Sequence, residues 1–347
     1  MKSINFLSRL GLALACLLIF SACQSALDEA SQVTSEEPTP SPTLTATLEV
    51  TEMQPTATVG SRPQFEGTIA FYSDMAGNPD IYIIQADGTG LTQLTDDAAF
   101  DDSPDLSPSG TRVVFLSARN DPDPQFPDFK YDIYVVNCDG TGLTQLTATE
   151  AGEDHPSWSP DESRILFDAD YDGDRFYEMY SMAADGTDLV RLTTGAHNDQ
   201  FGEYSPDGSQ IAFSSDRNGD WDIFTMDADG SNQAILEVDQ TWQIFPTWSP
   251  DGEWIAFVQM VPGSGETNVF SVSSDGTNLR QETWGSGYNE NPTFSSDGQW
   301  IAYQTNMDGD FEIYVKAFHS NDPAFHFFTF PSDELWPSWG PISISSD

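Results

Sequence analysis

Carboxylates, histidines and aromatic rings are the side chains whose spacing in this sequence could do chemistry, and they fall into three sets. Asp170, Asp172, Asp174 and Glu178 surround Gly173 in one short stretch, a density of oxygen ligands that suits calcium. That glycine stands at the wrong place for a helix-flanked calcium loop, and Asn218-Gly219-Asp220 and Asp308-Gly309-Asp310 repeat the pattern. The stretch therefore reads as a turn held by its own hydrogen bonds, with calcium as the alternative and no metal or cofactor assigned. His155 and His197 lie where one structural unit should connect to the next. A shared metal is conceivable there, but two ligands are too few for a catalytic centre. The third set joins Asp101, Asp102, Asp154, Glu203 and Glu290 to Trp242, Tyr288 and Trp336, with Phe100, Phe201 and Phe245 in similar stretches. Flat apolar faces beside carboxylates suit a cationic side chain or a sugar ring. The sequence has no Gly-x-Ser-x-Gly, no His-Glu-x-x-His and no phosphate loop ending in Gly-Lys.

A repeat must position these residues. An Ile-Ala-Phe-like anchor recurs at Ile69, Val113, Ile165, Ile211, Ile255 and Ile301, with spacings of 44, 52, 46, 44 and 46. Upstream of each later anchor stands one of Leu106, Trp158, Tyr204, Trp248 and Phe294, and Trp339 closes the column. A proline precedes it by two residues at Pro104, Pro156, Pro246, Pro292 and Pro337, and a Ser-Pro-Asp-Gly-like turn follows at Ser107, Ser159, Ser205, Ser249 and Ser295. A third apolar run precedes Asp-Gly turns at Asp87, Asp139, Asp185, Asp229 and Asp275, and a fourth, short run follows. Such a period, with four short strands per copy, specifies an all-β, six-bladed β-propeller. The chain enters at a second strand and leaves after a first strand, so the C-terminal strand should complete the N-terminal blade. Asp80, Asp132, Glu178, Asp222 and Glu312 recur before the third strand, a position that every blade needs for its own loop.

These columns resemble the TolB-type propeller repeat, a WD-repeat-like module of bacterial envelope proteins, over residues 67–341. TolB itself carries an additional N-terminal α/β domain and works in the periplasm with lipoprotein and Tol partners; here a linker takes that domain's place. In some peptidases the same repeat precedes a hydrolase domain. None is expected here, since Asp347 follows closely on the last expected strand.

Residues 1–22 read as a signal peptide: Lys2 and Arg9 precede an apolar run, Leu10 to Phe20, too short to span a bilayer. The run ends in Phe20-Ser21-Ala22-Cys23, which resembles the lipobox of bacterial lipoproteins and implies acylation of Cys23. Residues 23–64 form a Ser/Thr/Pro-rich linker with almost no aromatic side chains, expected to be disordered, and 65–347 form the ring. Cys138 occupies a turn column held elsewhere by Ala184, Ala228 or Ser274, and it reads as a small packed residue, not a nucleophile.

The formal charge of −44 comes from 56 acidic against 12 basic side chains and excludes nucleic acid as a partner. The reading is a monomeric, lipid-anchored propeller outside the cytoplasm that binds an envelope protein, or a peptide or glycan, without catalysis. An envelope polysaccharide hydrolase or lyase is the alternative. That enzyme would use a site in the propeller mouth, whereas binding is expected at the ring end carrying the inter-blade loops and the insertion between Arg119 and Lys130, where symmetry breaks. Part of the loop aromatics should pack beneath those loops.

Overall fold

The computed structural model describes residues 65–121, 130–236, 241–327 and 332–341. The leader, Cys23, the linker and most of the blade-two insertion lie outside them. Blade 1 begins with β1 (Thr68–Ser73), β2 (Asp80–Gln85) and β3 (Thr92–Gln93). Blade 2 holds β4 (Asp101–Leu106), β5 (Arg112–Ser117), β6 (Asp132–Asn137) and β7 (Thr144–Gln145). Blade 3 holds β8 (Glu153–Trp158), β9 (Arg164–Ala169), β10 (Glu178–Ala183) and β11 (Val190–Arg191). Blade 4 holds β12 (Asp199–Tyr204), β13 (Gln210–Ser215), β14 (Asp222–Asp227) and β15 (Ala234–Ile235). Blade 5 holds β16 (Gln243–Trp248), β17 (Trp254–Met260), β18 (Thr267–Ser273) and β19 (Arg280–Gln281). Blade 6 holds β20 (Asn289–Phe294), β21 (Trp300–Thr305), β22 (Glu312–Ala317) and β23 (Phe325–His326). Finally β24 (Glu334–Gly340) pairs with β1, so the first blade runs β24-β1-β2-β3 and the six-bladed ring closes as the repeat columns require.

Burial explains the columns. The anchors Ile69, Val113, Ile165, Ile211, Ile255 and Ile301 have no exposed surface, and neither do Phe71, Phe115, Phe167, Phe213 and Phe257 two residues on. Each such ring contributes roughly 1.5–3 kcal/mol by leaving water. Second and third strands are covered on both faces because neighbouring blades sandwich them. The turn after the inner strand is fixed by its own side chains. Ser205 Oγ donates to Asp207 Oδ1 at 2.7 Å, the Ser209 N–H donates to the same oxygen at 3.0 Å, and Gly208 takes φ 70°. Cys138 is half-buried and burial pushes its thiol up to about 11, which agrees with a packing role.

Candidate functional site

Every inner strand carries the same irregularity. The register slips at its third and fourth residues in all six blades, as a β-bulge does. The third residue has positive φ each time: Ser103 (47°), His155 (52°), Phe201 (58°), Phe245 (55°), Asn291 (50°) and Trp336 (54°). Proline follows in five blades and Gly202 in the sixth, where a Cβ would stand 2.3 Å from Met179 Cε. The slip turns residues three, four and five of each inner strand toward the ring axis. Together they line a central chamber of about 130 Å³.

Two layers of side chains line that chamber. In the layer nearer the loop end, four of the six third residues are rings that touch across the axis. Centroids of His155 and Phe201 lie 4.2 Å apart, Phe201 and Phe245 4.3 Å, Phe245 and Trp336 5.2 Å, and Trp336 and His155 5.3 Å. The imidazole is fixed from behind by the fully buried Asp168, 3.0 Å from Nδ1. Asp168 also accepts from Gln200 Nε2 at 2.9 Å and from the Phe201 N–H at 3.2 Å. Burial works against a charged His155, but Asp168, with Asp154 and Asp102, outweighs it and raises the imidazole above its ordinary value.

The second layer, at the fifth residues, is a ring of oxygens: Asp105, Ser157, Glu203, Thr247, Thr293 and Ser338. Several of them stitch one blade to the next. The Trp158 N–H donates to Asp105 Oδ2 at 2.8 Å, the Trp248 N–H to Glu203 Oε1 at 3.0 Å, and the Leu106 N–H to Ser338 Oγ at 3.0 Å. The Trp339 N–H donates to Thr293 Oγ1 at 3.1 Å. Burial raises Asp105 to about 6. It raises Glu203 to about 8, with the charge of Asp105 adding to the effect.

The family model described as the TolB beta propeller domain matches residues 173–264 and 200–344. The ring is a TolB-type β-propeller. A TolB homolog of Chlorobaculum tepidum is 33% identical over 116 residues, covering 33% of this chain and 25% of its own length. Alignments span about a third or less of the length of the curated relatives matched. The crystal structure of TolB from Acinetobacter baumannii superposes with a TM-score of 0.66 at 22% identity, covering 80% of this chain and 68% of that one. An oligogalacturonate lyase in complex with manganese superposes with a TM-score of 0.55 at 14% identity, over 75% of this chain and 73% of its own. At such identities the two structures share the fold alone.

Within this TolB-type ring the expected site residues separate. Trp336, expected on the loop face, lies inside β24 and in the ring layer, and Phe201 and Phe245 join it there at 7% exposure each. Glu203 belongs to the channel wall. His155 sits in β8, not in a connecting loop, because the bulge carries it to the axis. Asp101 is fully buried and accepts from Arg119 Nη2 at 3.1 Å, so it holds a loop and offers no surface. Glu290 is 1% exposed, accepts from Thr267 Oγ1 at 3.3 Å, and is pushed up to about 7 by burial. Trp242, Tyr288, Asp102 and Asp154 remain half-buried near the loop end, with Asp102 raised to about 6 by burial.

His197 stands 3.3 Å from Asp199, which also accepts from Arg217. Asp170, Asp172 and Asp174 do converge, their oxygens within 4.8 Å of one another. Arg191 already pairs with Asp172 at 2.9 Å and with the buried Glu178. Asp170 accepts from the N–H groups of Gly173 and Arg175, and Asp174 from that of Phe176, as a self-held turn requires.

Proposed function

We propose that this chain is a non-catalytic envelope propeller that binds a protein partner at the ring end bearing the inter-blade loops. The observation that carries the reading is the distribution of asymmetry. Anchors and turns repeat blade after blade and are consumed by the fold, whereas the third and fifth residues of the inner strands and the loops before them vary around the ring. Repeated positions hold the ring; unrepeated ones are free to specialise. The resemblance to TolB, at fold level and in partial sequence, agrees with an envelope setting, and the leader with Cys23 supplies a lipid anchor in this reading. Of the expected contact residues, Trp242, Tyr288, Asp102 and Asp154 keep accessible surface, while Asp101 and Glu290 are buried.

The test uses the full chain as bait in native envelopes, followed by titration of the captured protein. Trp242→Ala and Tyr288→Ala should each weaken capture by about tenfold or more. Asp251→Ala and Asp275→Ala, in turns on the opposite end, should leave it unchanged. The reverse pattern places the interface on the wrong end. In parallel, Cys23→Ala should abolish incorporation of labelled fatty acid; a variant still acylated removes the anchor.

A further inference from the structure

The central chamber holds chemistry that neither the loop face nor the repeat requires. Asn291, 8% exposed, lines the chamber and is tied to the wall through Nδ2, which donates to Gln304 Oε1 at 3.3 Å. In the second layer, Glu203 receives both of its hydrogen bonds at Oε1, from the Trp248 N–H at 3.0 Å and Thr247 Oγ1 at 3.2 Å. Its other oxygen is left for the chamber. Asp105 differs, with one donor on each oxygen, Ser338 Oγ at 2.7 Å and the Trp158 N–H at 2.8 Å.

The walls narrow the class of donor. Five prolines at the fourth positions and the faces of Phe201, Phe245 and Trp336 give the chamber an apolar lining between its oxygens. A hard ion such as calcium wants six or more oxygens at close range and no hydrocarbon. An aliphatic stem ending in a cation wants the opposite mixture: methylene contact, ring faces, and acceptors at the tip. A volume of about 130 Å³ is worth about four waters, room for the end of one such chain. We propose that the chamber binds a primary alkylammonium group, its N–H donors directed to Glu203 Oε2 and neighbouring hydroxyls. The inference rests on the protein-binding reading only for the source of the amine, a lysine side chain of the partner.

Isothermal titration of the full-length protein at pH 7 tests it with n-butylammonium, tetramethylammonium and calcium as probes. Butylammonium should bind saturably. Tetramethylammonium, which carries the charge without N–H donors, should bind at least about tenfold more weakly. One variant keeps the fold because the ring already uses its replacement in the same column: Glu203→Thr, as at Thr247. It should weaken butylammonium by about tenfold or more. Burial holds Glu203 near 8, so an ammonium beside it should displace a proton, and the binding heat should depend on the buffer's ionisation enthalpy. The other titratable groups facing the chamber are Asp105 and His155 with its partner Asp168.

A capped Gly-Lys-Gly peptide binding at least as well as butylammonium supports delivery by a partner's lysine. Butylammonium binding without the peptide supports the ammonium site with a free amine as its ligand. Equal affinity for the two ammonium ions, or saturation by calcium alone, overturns the proposal. Because the probes are small ions, failure here is distinct from failure of the loop-face capture experiment.

Discussion

Lys316 sits where every other blade places an apolar residue. Ile84, Val136, Met182, Met226 and Val272, each paired with its blade's anchor, fill one column of the third strand at 1% exposure or less, and Lys316 follows at 2%. Its charge is matched by a second break in pattern, since Glu282 replaces the leucine seen at Leu94, Leu146, Leu192 and Leu236. The two meet at the seam of blades 5 and 6, where Nζ lies 3.0 Å from Glu282 Oε2 and also donates to the Glu282 and Ser320 carbonyls. Glu282 further accepts the His319 N–H at 3.2 Å, and His319 itself stands where other blades carry the aspartate of an Asp-Gly turn. Three departures in one place form a single polar latch. Lys316→Met alone should cost about 3–5 kcal/mol by leaving a carboxylate buried without its cation. Adding Glu282→Leu restores both columns and should recover most of the loss, as read from urea unfolding of single and double variants. If the double variant is as unstable as the single one, the pair is not the coupled unit described here.

At the scale of the strand, closure rests on β24. It pairs with β1 from Thr68↔Gly340 to Ser73↔Glu334, Trp339 Nε1 donates to the Glu66 carbonyl at 3.0 Å, and Ser338 reaches Asp105 of the next blade at 2.7 Å. Removing residues 335–347 strips blade 1 of its inner strand and opens two seams. The melting temperature should then fall by more than about 10 °C in one cooperative step. An unchanged melt would show that the ring does not depend on this clasp. The clasp was legible from sequence because apolar columns and turn residues are dictated blade by blade; Ile255-Ala256-Phe257 or Ser249-Pro250-Asp251-Gly252 can do little else. The bulge was not legible. Ser103, His155, Phe201, Phe245, Asn291 and Trp336 share a backbone conformation and no side-chain chemistry, with the following proline as the one recurring hint. A bulge shifts the two-residue alternation, so residues read as loop-facing, Glu203 and Trp336 among them, turn inward instead. The Lys316–Glu282 pair also escaped a reading built on what repeats, although the break in two columns was its signal.

Across the whole molecule, acidic groups divide into two populations with opposite pH behaviour. Asp80, Asp102 and Asp105 are raised to about 6, Glu178 and Glu290 to about 7, and Glu203 and Glu334 to about 8, each chiefly by burial. The folded state holds these protons more tightly than the unfolded chain, whose carboxyls titrate near 4. Stability from this population is therefore full below about pH 4 and is lost as pH rises through 6 to 8. Turn aspartates behave the other way. Asp161 and Asp207 are lowered to about 2, and Asp87, Asp139, Asp185 and Asp275 are lowered too, by hydrogen bonds from hydroxyl and N–H groups two residues away. Their contribution is present above about pH 4 and disappears as pH falls toward 2. The net charge of −44 adds self-repulsion that also relaxes on acidification, but salt screens that part and leaves the buried groups untouched. The melting temperature should thus rise by at least about 5 °C from pH 8 to pH 5 and fall again below about pH 3. In 1 M salt the rise should shrink without vanishing. A rise abolished by salt would assign the effect to surface repulsion, and a melting temperature highest at pH 8 would mean that the buried carboxyls are not held protonated by the fold.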